Sequence, residues 1–340
     1  MNLSKRIARS VIFPITVFLK LDYLAAVMNG NKNMILCLHG VTKDPNFAIN
    51  NRHMPVDQFD QLIHYLSKTY EIVPVEFLFS DSNLSVRSKR KKRIALTFDD
   101  GYLNNLTTAL PVLEKYKVPA SFYIISQSIE DPDYLLWADV MSLLLSSNQT
   151  GMLKIGEYVF EKKDNRFVCA DLPEIELVDH LKSLGSEKYY ILNEIASGSP
   201  EFESLKAENP DYWKLINKEQ LLTLANSPLV TIGSHTAWHL NLGLTPDEAA
   251  ANELIHSKIV LETTLKKAVT AIAYPDGSYN DMTKYMAENA GYQQQLAVNY
   301  VNKSHDLTDR RILPRLSVSN STTAKSMIVR MNLGFGKFGF

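Results

Sequence analysis

Two adjacent carboxylates give the first indication of chemistry in this sequence. Asp99 and Asp100 directly follow the apolar run 94–98, which predicts a short buried strand that ends in a turn at Gly101. Neighbouring carboxylates repel each other unless a cation or a proton separates their roles, so one can bind a metal while the other remains a base. Because Asp and Gly are also ordinary turn residues, this triplet needs a second cluster to support a site.

Two histidines provide that second cluster. His235 and His239 follow the apolar run 229–232, which also predicts a strand. Imidazoles four positions apart at the end of a strand can share one metal ion. The alternative is a turn pair whose rings bond backbone carbonyl groups.

The elements that must position these residues alternate between strands and helices. Helical stripes, such as the one over 56–69, lie between short apolar runs, and this alternation is typical of parallel strands joined by crossover helices. Seven or eight such strands predict an α/β fold, a distorted (β/α)7-type barrel whose functional residues gather at the carboxyl ends of the strands. Six chemically competent residues fall just after predicted strands: His39, Asp99, Asp100, His235, His239 and Asp276.

The alternation fails between about residues 127 and 215. This stretch mixes charge with short helical stripes, which predicts a largely helical insertion packed near the active face. Its aromatic residues Tyr134 and Trp137 could form a sugar platform, although core packing is the commoner use of such side chains.

Composition limits the class of protein. Hydrophobic residues make up 45% of the 340 residues and charged residues 21%, as in ordinary globular proteins. The formal net charge of -1 favours no nucleic-acid partner. The two cysteines, Cys37 and Cys169, form no metal-binding pattern and suit a reducing compartment, so a cytoplasmic location is predicted.

The first 33 residues form a separate predicted segment. Basic residues precede the apolar run 11–19, which is shorter than the roughly 20 residues needed to span a bilayer. No small-residue cleavage site follows. Two interpretations remain open: a helix on the inner face of an anionic membrane, giving peripheral membrane contact, or a helix packed on the domain itself. A basic run at 87–93 is interpreted as a solvated loop, with contact to anionic lipid or substrate as the alternative, and 321–340 as a C-terminal tail.

The two motifs together resemble the polysaccharide deacetylase family, also called the NodB-homology domain or carbohydrate esterase family 4. Its Thr-Phe-Asp-Asp-Gly motif is matched at 97–101, and its His-Ser/Thr-x-x-His motif by His235, Thr236 and His239. A third element, a loop with proline after a strand, is similar to 273–277. The resemblance covers roughly residues 34 to 318 and implies one barrel domain over 34–320 that contains the insertion.

The resemblance implies a metal-dependent hydrolase. Asp100, His235 and His239 would be the metal ligands, and Asp99 would be the general base that takes a proton from water. One oxygen and two nitrogen ligands suit zinc, and cobalt, nickel, manganese or iron(II) can also occupy such a set. The third loop, with Tyr274, Pro275 and Asp276, would face the substrate and the developing oxyanion.

The general acid is predicted from a point at which this sequence departs from the family pattern. Many family members use a histidine in a late Leu-x-His motif, which this chain lacks, and His305 follows no predicted strand. His39 is the better candidate, as in members whose strand order is permuted. Alternatively, His39 caps a strand or bonds a carbonyl group.

A second departure concerns an arginine. Where the family often has Arg-Pro-Pro-Tyr, this chain has Ala-Tyr-Pro-Asp at 273–276. The family arginine orients and charge-balances the catalytic aspartate. Arg315 could replace it, or could instead form a surface or structural salt bridge. Asp276, in place of the tyrosine, would bring an acidic side chain to the substrate.

The predicted function is removal of an N-acetyl group from an amino sugar of a glycan, glycolipid or glycan precursor of the cell envelope. Two alternatives remain open: removal of another small acyl group, such as formyl, from a lipid-linked sugar, and a catalytically weakened glycan-binding protein. The spare carboxylate of Asp99 disfavours the binding protein, since a binder needs no base.

Overall fold

The computed structural model of the 340-residue chain describes residues 33–46, 49–50, 52–80, 92–148, 151–163 and 166–318. The predicted N-terminal segment up to residue 32, most of the basic run 87–93 and the tail 321–340 lie outside the described residues. Those predictions, and the proposed domain boundaries, therefore remain predictions.

Eight parallel strands form one nearly closed barrel. The strands of the described chain are β1 (Met34–Leu38), β2 (Val41–Thr42), β3 (Met54–Pro55), β4 (Glu71–Ile72), β5 (Arg93–Phe98), β6 (Ala120–Ile124), β7 (Met152–Ile155), β8 (Tyr158–Lys163), β9 (Arg166–Cys169), β10 (Val230–Ser234), β11 (Ala271–Ala273), β12 (Gln294–Ala297), β13 (Ile312–Pro314) and β14 (Leu316–Ser317). The barrel strands follow the order β13-β12-β11-β10-β6-β5-β1-β14, and β4 pairs with the start of β5 beside this path.

The last two strands close the barrel. β13 pairs with β12 and β14 pairs with β1, and only Arg315 separates the two short strands in the chain. One segment therefore joins both ends of the sheet, and it bends at Arg315. The predicted α/β barrel of seven or eight parallel strands is confirmed.

Helices cover the barrel and build much of the insertion. The predicted apolar stripe of the first helix is buried at Phe59, Leu62, Ile63 and Leu66. A π-helical turn at Asn105–Ala109 leads into the third helix. The helices are α1 (Val56–Thr69), α2 (Glu76–Ser80), α3 (Leu110–Tyr116), α4 (Gln127–Glu130), α5 (Trp137–Ser147), α6 (Leu177–Ser183), α7 (Glu187–Ala196), α8 (Pro200–Glu208), α9 (Lys218–Ala225), α10 (Asp247–Leu265), α11 (Asp281–Asn289) and α12 (Lys303–Asp306).

The interior of the barrel is apolar at one end and polar at the other. Ile35 and Ala95 belong to a small interior cluster with residues from β6, β11 and β12. Because side chains alternate along a strand, the same inward face continues from Ile35 to Cys37 on β1 and from Ala95 to Thr97 on β5. The polar layer therefore lies at the carboxyl ends of the strands, where the predicted site residues follow.

The insertion contains an element that the sequence analysis did not predict. β7, β8 and β9 form a three-stranded antiparallel sheet beside the predicted helices. Each strand has only four to six residues, and charged side chains interrupt the apolar alternation. Such short segments carry too little periodicity to be recognised as strands.

None of the helices within the described ranges combines the length and the apolar character that crossing a bilayer would require.

Candidate active site

The carboxyl ends of the barrel strands bring the predicted site residues together. Asp99 and Asp100 follow β5, and His235 and His239 lie at the end of β10 and in the loop after it. Their ligand-type atoms form two adjoining groups, each with all its atoms within 4.8 Å of one another: one of Asp100, His235 and His239, the other of Cys37, His39 and Asp99.

Asp99 is fully engaged by neighbouring side chains. Arg315 donates from Nη1 to Oδ1 over 2.6 Å and from Nη2 to Oδ2 over 2.7 Å, and the Cys37 thiol donates to Oδ2 over 3.3 Å. Burial alone would raise the pKa of Asp99, but Arg315 and then His235 outweigh it and hold that pKa well below its usual range. Asp99 is therefore ionised and fixed in direction at any working pH.

Arg315 contacts Asp99, as a residue that replaces the missing family arginine would have to do. Its side chain is fully buried at the bend between β13 and β14, and its backbone N–H donates to the carbonyl of Ala297 over 2.7 Å. Nη1 also lies 3.3 Å from the Thr97 hydroxyl. This geometry excludes the alternative of a surface salt bridge.

Asp100 has the opposite surroundings. Its Oδ1 lies 3.5 Å from Nε2 of His235 and 3.5 Å from Nε2 of His239. Within the described part of the chain, neither carboxylate oxygen accepts a hydrogen bond, although Asp100 is 1% exposed. A buried carboxylate that accepts no hydrogen bond is costly, whereas a cation between it and the two imidazoles would satisfy all three groups. The residues present therefore fit a divalent metal ion.

Hydrogen bonding orients one imidazole, and burial changes the pKa of the other. Nδ1 of His235 lies 2.8 Å from the carbonyl oxygen of Ala273, which places the proton on Nδ1 and leaves the Nε2 lone pair facing Asp100. Burial, together with the nearby His235, lowers the pKa of His239 to about 4. The alternative, a turn pair whose rings bond backbone carbonyl groups, explains the contact of His235 with Ala273. It does not explain why Nε2 of both histidines lies 3.5 Å from Asp100 Oδ1.

Backbone strain is concentrated in the same loops. Asp100, Thr236, His239 and Asp276 have φ values of 71°, 67°, 59° and 54°, and they are four of the six non-glycine residues with positive φ among those described. This region is unfavourable for L-residues, and its use at functional positions is typical of sites in which side-chain direction is over-determined.

His39 lies beside Asp99 at the end of β1. Its backbone carbonyl accepts a hydrogen bond from Asn105 Nδ2 over 2.7 Å, which fixes the turn after the strand. The next residue must be glycine, because a Cβ at Gly40 would lie 2.2 Å from His53 Nδ1. Burial lowers the pKa of His39, although Asp100 and Asp99 act in the opposite direction. Its protonated form is therefore scarcer but a stronger proton donor.

The third loop brings Asp276 to the site. Asp276 Oδ2 accepts from Asn241 Nδ2 over 2.9 Å, and Oδ1 lies 3.6 Å from Lys182 Nζ on the insertion helix α6. Burial would raise the pKa of Asp276, but His239, Lys182 and Asn241 lower it to about 2. Asp276 is thus an ionised carboxylate near His239. Pro275 is buried in the short 3-10 turn Pro275–Gly277.

The structure contradicts the substrate role of the Tyr274 side chain. Tyr274 is fully buried, stacks on Tyr279, and donates its hydroxyl to Gln295 Oε1 over 2.9 Å. It therefore packs beneath the loop and does not reach the substrate side.

His305 lies outside the site, and the aromatic residues Tyr134 and Trp137 of the insertion are buried. His305 is exposed on α12, with Nδ1 3.1 Å from Asn302. Trp137 is 2% exposed and packs beneath the ammonium of Lys188, 4.7 Å from the ring centroid. Tyr134 is also buried, and its hydroxyl donates to the carbonyl of Trp238 over 3.2 Å. Trp137 therefore offers no open sugar platform, whereas Tyr134 lines a cavity between α7 and α10.

A cavity of about 820 Å³ lies between the insertion helix α7 and the barrel helix α10. Trp238, from the loop that carries the two histidines, lines it and is 40% exposed.

Sequence reasoning missed several residues of this site. Arg52 lies 3.5 Å from Asp100 Oδ2, and Asp139 on α5 holds Arg52 from the other side. Asn241 and Lys182 hold Asp276. None of these residues belongs to a spacing pattern, so their chemical type was the only signal available.

Known proteins resemble this chain in sequence and in fold. The polysaccharide deacetylase family model matches residues 86–160 and 179–295. A Bacillus subtilis (strain 168) protein, YxkH, which carries the polysaccharide deacetylase designation, is 24% identical over 204 residues. That match covers 60% of this chain but 43% of the relative, so the chain spans less than half the length of that protein.

Two solved structures share the fold. The Streptococcus pyogenes deacetylase PplD, solved in complex with acetate, superposes with a TM-score of 0.55 at 18% identity and covers 87% of this chain and 96% of its own. IcaB from Ammonifex degensii gives a TM-score of 0.55 at 16% identity, with 90% and 98% covered. Since the family model spans more than half of the sequence and the barrel is shared, this chain belongs to the polysaccharide deacetylase family.

Proposed function

We propose that this protein is a metal-dependent hydrolase that removes the N-acetyl group from an amino sugar of a glycan or glycan precursor. One observation carries the proposal: the adjacent carboxylates of Asp99 and Asp100 lie in opposite surroundings. Asp99 is fixed by Arg315, and Asp100 faces two imidazoles with both oxygens free of hydrogen bonds among the described residues. A base and a ligand need those two environments.

The ligand set would be Asp100, His235 and His239, one oxygen and two nitrogen donors. This set suits zinc and also accommodates cobalt, nickel, manganese or iron(II). When bound there, a divalent ion supplies polarisation of the acyl carbonyl and lowers the pKa of water.

Asp99 would take the proton from the attacking water. With a strongly lowered pKa it is a weak base, so it can act only on a water that has itself been made acidic. Arg315 and Cys37 hold the carboxylate in one orientation, which removes the need to reorganise it during the reaction.

His39 would give a proton to the departing amine. It lies in the same group of atoms as Asp99, at the end of the neighbouring strand β1. Asp276 would add a negative charge near His239, on the substrate side of the third loop, and would favour an amine product that becomes cationic.

A metal-dependent assay for released acetate and formate, across N-acetylated and N-formylated amino sugars, tests the proposal. We expect acetate release that is lost on chelation and restored by zinc. Formate release alone would establish the deformylase alternative. Binding of glycan without any acyl release would establish the binding protein. Peripheral membrane contact through the first 33 residues stays a separate prediction, testable by vesicle sedimentation.

A further inference from the structure

Arg52 is a cation built into the site beside a proposed metal ligand. Its Nη1 lies 3.5 Å from Asp100 Oδ2, whereas Oδ1 of the same carboxylate faces His235 and His239. The two oxygens of Asp100 are thus distinguished by their neighbours: one faces the imidazoles and the other faces a guanidinium.

The position of Arg52 is set from several directions. Its Nη2 donates to Asp139 Oδ1, its Nε donates to Asn50 Oδ1 over 3.3 Å, and its guanidinium lies 5.8 Å from the ring centroid of Tyr102. The Arg52 side chain is 23% exposed, so this is a partly buried ion pair and not a solvated one.

Asp139 is the anchor of this arrangement. It is 2% exposed, and its carboxylate accepts from Asn50 Nδ2 over 2.8 Å and from the Tyr102 hydroxyl over 2.9 Å. Asp139 lies on α5, in the insertion, and is separated from Arg52 by 87 positions in the chain. Asp139 of the insertion therefore contacts Asp100 indirectly, through Arg52.

We propose that Arg52, anchored by Asp139, is a positioning residue that presents Oδ1 of Asp100 to the metal ion and keeps Oδ2 away from it. The guanidinium beside Oδ2 would disfavour a cation at that oxygen, so Asp100 would offer Oδ1 to the ion. Residues that orient ligands in this way commonly change metal affinity by about 10- to 100-fold when they are removed. This inference rests on the proposed metal site.

Arg52→Met in the full chain gives the sharpest test, because two effects of the change have opposite signs. Loss of a positive charge near the site would by itself tighten the binding of a divalent cation. Loss of orientation would weaken it. We expect the dissociation constant for Zn²⁺, measured by competition with a chromogenic chelator, to rise about tenfold or more.

Further variants separate charge from geometry. Arg52→Lys keeps the charge but lacks the planar fork that reaches Asp100 and Asp139 together, so it should fail to restore affinity. Asp139→Asn should weaken Zn²⁺ binding as well, because it frees Arg52 and leaves its charge uncompensated. Arg311→Met is the matched control, since Arg311 pairs with Asp309 and Glu288 in another part of the protein. It should leave the affinity unchanged.

A second measurement reports geometry directly. The visible absorption of the Co²⁺-loaded protein depends on coordination number, and it should change in Arg52→Met but not in Arg311→Met. Thermal unfolding identifies any variant that fails to fold, and if Asp139→Asn is one, Arg52→Met and Arg52→Lys decide the question.

Unchanged or tighter Zn²⁺ binding in Arg52→Met, or an unchanged Co²⁺ spectrum, would overturn the inference. If the wild type binds metal and releases acetate while Arg52→Met behaves like it, the inference alone fails. If the wild type binds no divalent ion, the proposed function fails with it.

Discussion

Asp99 and Asp100 are neighbours in the chain, yet their carboxylates lie in two different regions of the molecule. The region around Asp99 belongs to the barrel, since Cys37 lies on β1 and Arg315 at the bend that closes the sheet. The region around Asp100 belongs to loops and to the insertion, through His235, His239 and the Arg52–Asp139 pair.

The difference shows how one strand end can serve two purposes. A positive φ at Asp100 turns its side chain away from the direction taken by Asp99. The barrel then holds Asp99 by a bidentate contact from Arg315, while neither oxygen of Asp100 accepts a hydrogen bond from the described residues. The surroundings of Asp99 depend on the closed sheet, whereas those of Asp100 depend on loops and on the insertion, which tolerate change more readily than barrel strands.

The largest effect should come from the Asp100 region. His235→Ala removes one of three ligands, so turnover should fall to background and metal content should fall by about one equivalent per chain. Elemental analysis of both proteins measures this. His256→Ala is the control, because His256 is an exposed histidine paired with Glu130. Equal metal content in wild type and His235→Ala would remove the ligand assignment.

The next effect separates the two carboxylates. Asp99→Asn should lower turnover by roughly 10²- to 10⁴-fold, the range for a general base, while metal content stays nearly intact. Asp100→Asn should lower metal content as well. Comparable metal loss in both variants, or high activity in Asp99→Asn, would abolish the distinction between base and ligand.

A smaller effect is expected at His39. His39→Ala should slow amide hydrolysis by roughly 100-fold, but should slow an activated ester far less, because its leaving group needs no proton. His305→Ala should be silent on both substrates. Equal losses on amide and ester would mean that His39 positions other groups instead of donating a proton.

The pH dependence of amide turnover tests the same proton-donor role of His39. Burial places the pKa of His39 below the usual histidine value of about 6.5. Only the protonated form can donate, so amide turnover should decline as pH rises through that lowered pKa. Hydrolysis of the activated ester should lack this decline, and the same decline on both substrates would contradict the assignment.

The smallest effect on turnover should come from Arg315→Met, because Asp99 itself remains. Loss of one partner of a buried pair typically costs about 3–5 kcal/mol in the free energy of unfolding. Since the folded state lowers the pKa of Asp99, its contribution is present above the unfolded pKa of about 3.9 and is lost as pH falls toward the folded value. Denaturant unfolding should therefore show wild type and variant converging in acid, and a pH-independent difference would argue against the pair.

Much of the fold could be read from short-range pattern. The apolar runs 94–98 and 229–232 predicted the barrel strands β5 and β10, and the residues just after them were predicted to share one face. Tyr274 shows the limit of this reasoning, because position after a strand does not determine which way a side chain points. Its ring is buried in the core, where the hydroxyl donates a hydrogen bond to Gln295.

The sequence by itself determined which residue types stand at the strand ends: two carboxylates, two imidazoles and an early histidine, in an order that resembles one family. Only the tertiary structure decided their partners. Arg315 reaches Asp99 across 216 positions, and Asp139 reaches Arg52 across 87. Periodicity and turn chemistry act over a few residues, whereas the closure of the sheet and the docking of the insertion set these contacts. The physical reason is that the field at a carboxylate depends on distance in space, and a folded chain brings charges together irrespective of their separation in sequence.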